Sequence, residues 1–278
     1  MICVLSGGGV DCVALLGALK YLDKKPTHYI ACSCGALISA FLIANYPVDD
    51  ILQLFLQTES IDTDAIDVNQ CMKGYGMYNV DMCLSHVEAN FNKRFGINIT
   101  LSQFFDATNI NLTIVGSNLS TKQPEYFNHR THGNMSLFTC LRITCCIPLL
   151  FQTIKHSGSH YVDGGLYDIF PYKYAKQQFK TTPVVAVCIK SSKAPTPIES
   201  IGSFLYNFSM SVIETIINNT SFDEESDVYS IDTSYTGMDV LSYLSLPTSK
   251  KLSFLKSLIQ EGYIQCEKIH LKDMLSKE

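Results

Sequence analysis

IACSCGALISAF, residues 30–41, sets one serine between two cysteines where an apolar run gives way to a helical pattern. Residues 28–32 read as a buried strand and 34–45 as a helix, so Ser33 falls at the junction. Small residues at −2 and +2 let such a turn close and make its serine protrude, and Ala31 and Gly35 occupy those places. A small residue in a buried turn fits the same letters. If a nucleophile is needed here, the flanking thiols of Cys32 and Cys34 compete with the hydroxyl.

Working outward, residues 2–6 read as another short buried strand, and VALLGALKYLD (13–23) as a helix. This β-α-β-α opening implies a parallel sheet with helices on its faces. Pro47 halts the second helix and VDDILQLFLQ restarts one. Helices are expected at 79–96, from the capping box TLSQ (100–103), and at 135–145, with strands at 111–119, 124–129 and 183–190. LLFQTIK and SHYVD flank a Ser-Gly turn and read as a hairpin. KAPTPIES (193–200) reads as a linker, followed by a helix over about 198–218, a strand at 227–233 and helices from about 248. One domain is expected, with a core at 1–192 and a C-terminal elaboration at 193–278.

The composition bounds the function. In 278 residues, 46% hydrophobic and 17% charged, there is enough apolar surface for a large core. A net charge of −5 without basic clusters speaks against nucleic acid as a partner. The eleven cysteines include no C-x-x-C pair, so neither a zinc site nor any other metal is expected, and the reading is of a reduced, intracellular protein. HSGSH (156–160) places its two histidines around a turn rather than on one helical face. No signal peptide is read at the N-terminus. The stretch 26–48 lacks Asp, Glu, Lys and Arg, but its apolar part is short for a membrane span and reads as a strand and a helix.

Two further stretches bear on Ser33. SGGG (6–9) follows the first strand and precedes a helix, where backbone N–H groups offer an anion site for a phosphate or an oxyanion, or the glycines simply close a βα turn without a ligand. A phosphate loop would need Gly-Lys-Ser/Thr, and a dinucleotide fingerprint would need glycine where Cys12 stands. In VDGGLYDIFP (162–171), Asp163 is either a base or the first residue of an Asx turn closed by Gly164 and Gly165.

Taken together, the glycine loop, the serine elbow and Asp163-Gly164-Gly165 with Pro171 resemble the patatin-like phospholipase family. LRITCCIPLLFQTI, with Pro148 and Phe151, and LTIVGSNLSTKQPEYF resemble further segments of it, over about residues 1–190. The resemblance implies a three-layer α/β/α fold around a mainly parallel sheet, with the C-terminal part as a helical elaboration. It implies a lipid acyl hydrolase acting without a cofactor: Ser33 as nucleophile, Asp163 as base, and backbone N–H groups of Gly7, Gly8 and Gly9 as oxyanion hole. A phospholipid or other lipid ester would be the substrate, met in transient contact with a membrane surface. His160, three residues before Asp163, is the alternative base. The sequence departs from the family at Ala31, and at Asp11 and Cys12, where Arg or Lys and then Gly are usual. A carboxylate at Asp11 is expected to oppose a nearby oxyanion, which keeps a weakly active or inactive lipid-binding protein as the alternative function.

Overall fold

The computed structural model describes residues 1–58, 68–190, 197–218, 227–234 and 237–275. Strand β1 (Ile2–Leu5) is buried on both faces, as a strand inside a parallel sheet must be. It leads through a tight 3₁₀ turn (Gly9–Val13) into α1 (Ala14–Leu22). Strand β2 (His28–Cys32) runs directly into α2 (Ser33–Ile43), almost wholly buried, and α3 (Val48–Leu56) follows Pro47. Next come α4 (Val68–Gly74), β3 (Gly76–Tyr78) and α5 (Asp81–Phe95). Helix α6 (Leu101–Thr108) is opened by the Thr100–Gln103 capping box. Strands β4 (Asn111–Asn118) and β5 (Gln123–Phe127) precede α7 (Leu137–Thr144).

Then come β6 (Leu149–Phe151), β7 (Ile154–His156) and β8 (Ser159–Asp163). Two short helices, α8 (Gly165–Asp168) and α9 (Tyr172–Gln178), lead to β9 (Val184–Lys190). The C-terminal part comprises α10 (Ile201–Asn218), β10 (Val228–Asp232), α11 (Val240–Ser245) and α12 (Thr248–Leu275).

The main sheet has eight strands in the order β10-β9-β1-β2-β4-β8-β7, with β5 also on β4. The five strands from β10 to β4 are mutually parallel, and β5, β7 and β8 pair antiparallel. Alternation along the strands divides the core in two. Cys3, Leu5, Tyr29 and Ala31 face α1 and α2, whereas Ile2, Val4 and Ile30 face Phe170, Tyr172 and Ile213 from the opposite layer. The result is a three-layer α/β/α sandwich.

The sequence reading differs in two places. LLFQTIK is not one strand: β6 pairs parallel with β3 in a separate two-stranded sheet, and only β7 and β8 form the hairpin. The C-terminal helices after 248 are one continuous helix. The first half of the expected linker, residues 193–196, lies outside the described residues.

The C-terminal segment is built into this sandwich. Strand β10 extends the sheet beside β9, and α12 lies along α1. A side chain at Gly17 would overlap the carbonyl of Ile259, and one at Gly262 that of Ala14, so the two glycines permit the close approach. Among the described residues no helix is long and apolar enough to cross a membrane.

Candidate active site

Parallel strands deliver their following loops to one end of a sheet, and that end collects the reactive groups. Leu5 pairs with Ala31, so the glycine loop and the α2 elbow emerge side by side. Cys32 pairs with Val115, and the next residue of β4, Gly116, pairs with Asp163. This register brings Asp163 from the antiparallel strand β8 to the foot of Ser33.

Ser33 sits at φ +50°, in the left-handed region that a non-glycine residue adopts only when its surroundings compel it. Its N–H donates to Thr144 Oγ1 at 2.7 Å, which holds the turn. Gly35 lets the first turn of α2 lie against the end of β1, because any side chain there would overlap the carbonyl oxygen of Ser6. Ala31 is fully buried in the core, so a methyl group is accommodated at the position before the elbow.

The Ser33 hydroxyl donates to Asp163 Oδ2 at 2.6 Å. Asp163 is 2% exposed and Ser33 8%. The other carboxylate oxygen, Oδ1, accepts the N–H of Gly165 at 2.7 Å and lies 3.8 Å from Cys32 Sγ. Burial pushes the Asp163 carboxyl up to about 6, against hydrogen bonds from Ser33, Gly165 and Cys32 that favour the ionised form. A carboxylate near that value is poised to take a proton at neutral pH. Burial, reinforced by Asp163, holds the Cys32 thiol well above its usual range, so it stays a neutral thiol.

The glycine loop is anchored by Ser6, whose hydroxyl accepts from Ile189 N and donates to the carbonyl of Gly7, both at 2.8 Å. The N–H of Gly7 donates to Ile169 O at 2.9 Å. The expectation that all three loop amides serve an anion therefore needs correction, because Gly7's is committed to the fold. Among the described residues the amides of Gly8 and Gly9 have no acceptor of this kind, and Gly9 stands at φ +58°. Gly8 and Gly9 line a small cavity together with Ser33, Asp163, Ile169 and Tyr206.

A second, apolar pocket also opens at Ser33. Its walls include Leu37, Phe41, Leu54, Val80, Leu84 and Tyr243. Cys34 and Cys145 also face it, and burial raises the Cys145 thiol well above the usual range.

Asp11 is fully buried and accepts from Thr233 Oγ1 at 3.0 Å and from Met238 N at 3.1 Å. These bonds tie the carboxylate to the segment after β10. His160 pairs with Thr153 Oγ1 at 3.0 Å and packs edge-on against Tyr75, and no hydrogen bond joins it to Ser33 or Asp163. Thr144, Ile169, Tyr206 and Val240 were not legible as site residues. Thr144 lies inside a stretch singled out for its prolines and phenylalanines, and the others reach the site only through tertiary packing.

Comparison with known proteins gives the chain relatives in sequence and in fold. A curated relative, a probable lipid hydrolase (463L) of Invertebrate iridescent virus 6, is 27% identical over 197 residues, which are 66% of this chain and 68% of the relative. An uncharacterized protein of Bacillus subtilis, YqhO, is 26% identical over 226 residues, covering 71% and 74%. VipD from Legionella pneumophila superposes with a TM-score of 0.56 at 15% identity, over 96% of this chain and 66% of VipD, a likeness of fold. The family model of the patatin-like phospholipases matches residues 3–176, which contain the glycine loop, Ser33 and Asp163, and the chain belongs to that family.

Proposed function

We propose that the chain is a lipid acyl hydrolase, a phospholipase A, lysophospholipase or esterase, cleaving carboxylic esters through a Ser33–Asp163 dyad. The observation that carries this reading is the 2.6 Å hydrogen bond from the Ser33 hydroxyl to a buried carboxylate, at a strained elbow open to an apolar pocket. Ser33 Oγ attacks the ester carbonyl while Asp163 Oδ2 takes its proton. The oxyanion of the tetrahedral intermediate is received by the amides of Gly8 and Gly9. Collapse breaks the bond to the alcohol, which leaves with the proton from Asp163. Water then attacks the acyl-serine, again giving its proton to Asp163, and collapse breaks the bond to Ser33 Oγ, which takes that proton back as the fatty acid is released. The acyl chain occupies the apolar pocket, whose lining offers it few polar partners.

In this reading residues 1–192 carry the reacting groups, and the elaboration at 193–278 contributes walls, notably Tyr206 and Val240. A fluorophosphonate probe tests the proposal. It should label the native protein at Ser33 and leave Ser33→Ala unlabelled, together with loss of hydrolysis of a short-chain ester. An unlabelled native protein with its fold intact would leave an inactive lipid-binding member of the family.

A further inference from the structure

Beyond Ile169 lies a third cavity, of about 400 Å³, whose role the ester chemistry leaves open. Ile169 walls both this cavity and the small one at Ser33 and Asp163. Helix α10 covers the two in succession, with Tyr206, Met210 and Ile213 over the first and Ile216 and Ile217 over the second. The alcohol side of an ester bound at Ser33 would thus lie next to this cavity, across Ile169 and under the same helix.

The chemistry of this cavity is unlike that of the apolar pocket. Tyr126 and Tyr174 stack face to face along it. The Tyr126 hydroxyl donates to Asp168 Oδ2 at 2.7 Å, and Oδ1 has no hydrogen-bond donor among the described residues. Lys173 also lines the cavity, yet no ion pair within 4.0 Å joins it to Asp168. Burial raises the Asp168 carboxyl, opposed by the Tyr126 hydrogen bond and by the charge of Lys173. A cation seated beside it would compensate the same burial. One anion and one cation, held apart beside aromatic rings, are complementary to a ligand carrying the opposite charges at a similar separation.

We propose that this cavity is the subsite for the head group of a zwitterionic phospholipid, with its ammonium on Asp168 and the tyrosine rings and its phosphate on Lys173. The assignment rests on the hydrolase reading for its lipid and deepens it to a substrate class. Quaternary ammonium groups favour aromatic surfaces with a nearby carboxylate, and lysine serves phosphate as a point charge.

The test has two arms, both with the full chain. In the first, binding of soluble glycerophosphocholine and of glycerol 3-phosphate is measured by titration. Asp168→Asn and Lys173→Gln should each weaken glycerophosphocholine about tenfold, whereas glycerol 3-phosphate, which has no ammonium, should respond only to Lys173→Gln. In the second arm, hydrolysis of phosphatidylcholine and phosphatidylglycerol vesicles is compared. The native preference for phosphatidylcholine should fall about tenfold in Asp168→Asn, a change that a merely structural role for Asp168 would not produce. If only the soluble ligands respond, the site serves a free phosphoamine and the head-group assignment is overturned. Lys173 is exposed, so its variant is read even where Asp168→Asn folds poorly, and unchanged glycerophosphocholine affinity in Lys173→Gln overturns the proposal by itself. Fluorophosphonate labelling of Ser33 keeps the two readings apart. Selective head-group binding without labelling would sink the hydrolase and leave the subsite standing.

Discussion

At the residue scale, the burial of Asp163 costs stability at neutral pH. Its pKa rises from 3.8 to about 6 on folding, so the folded state holds its proton more tightly than the unfolded one. That favours folding fully below about pH 4, and the advantage is lost as pH rises through about 6. At about 1.4 kcal/mol for each tenfold in proton affinity, the ionised carboxylate costs about 3 kcal/mol at pH 7. Asp163→Asn should therefore raise the melting temperature at neutral pH while lowering kcat about 10²–10⁴-fold. An unchanged or lower melting temperature would contradict this account. In the native protein kcat/KM should climb with pH through about 6 and then level off, because only the ionised form accepts the serine proton. Asp11 bears on stability in another way. Removing its carboxylate leaves the buried donors of Thr233 and Met238 without it, so Asp11→Ala should cost about 1–3 kcal/mol in denaturant unfolding. Asp11→Asn, with its carboxylate tied away to that segment, should change turnover little. A severalfold rise in turnover would restore the expectation that its charge opposes the oxyanion.

At the element scale, the β2–α2 junction decides the geometry of the nucleophile. Gly35→Ala pushes a methyl group into Ser6 O, so α2 and the glycine loop must separate. A loss of about 1–3 kcal/mol is expected, together with weaker fluorophosphonate labelling as the loop amides move from the oxyanion position. Labelling at the native rate would show that the loop tolerates the shift. This junction was legible in the sequence because a short apolar run at 28–32 passes into a longer apolar stretch with small residues at its start, which Pro47 ends. The β3–β6 pair was not, since three-residue strands carry no alternation to read. Helices α8 and α9, of four and seven residues, are likewise too short to show a period. Within the site, Ser33 and Asp163 were singled out through the family resemblance that three glycine-bearing stretches carry, and the fold brings the two side chains into a hydrogen bond. That Gly7's amide is already engaged depends on Ile169, far along the chain, and no local pattern reveals it.

At the scale of the whole molecule, the C-terminal helix closes one face of the sandwich on two glycines. Gly262→Leu should force α12 away from α1, lower the melting temperature and expose the apolar face of α1 to a hydrophobic dye, whereas a native-like melt would mean the helices slide past one another without loss. The sheet topology has a consequence in time. Strand β1 is first in the chain yet central in the sheet, flanked by β2 and by β9, with Ile2 opposite both His28 and Val184. Ser33 precedes its base by 130 residues. At ribosomal speeds of about 5–20 residues per second, that separation is on the order of ten seconds during which the serine has emerged and the carboxylate has not. Contacts so distant in sequence also form slowly, after local helices. On the proposed dyad mechanism, a nascent or refolding chain would therefore hydrolyse no ester until its last sheet strands are in place. In refolding from denaturant, labelling of Ser33 should lag behind the recovery of helical signal, and the two would rise together only if the dyad formed without the completed sheet.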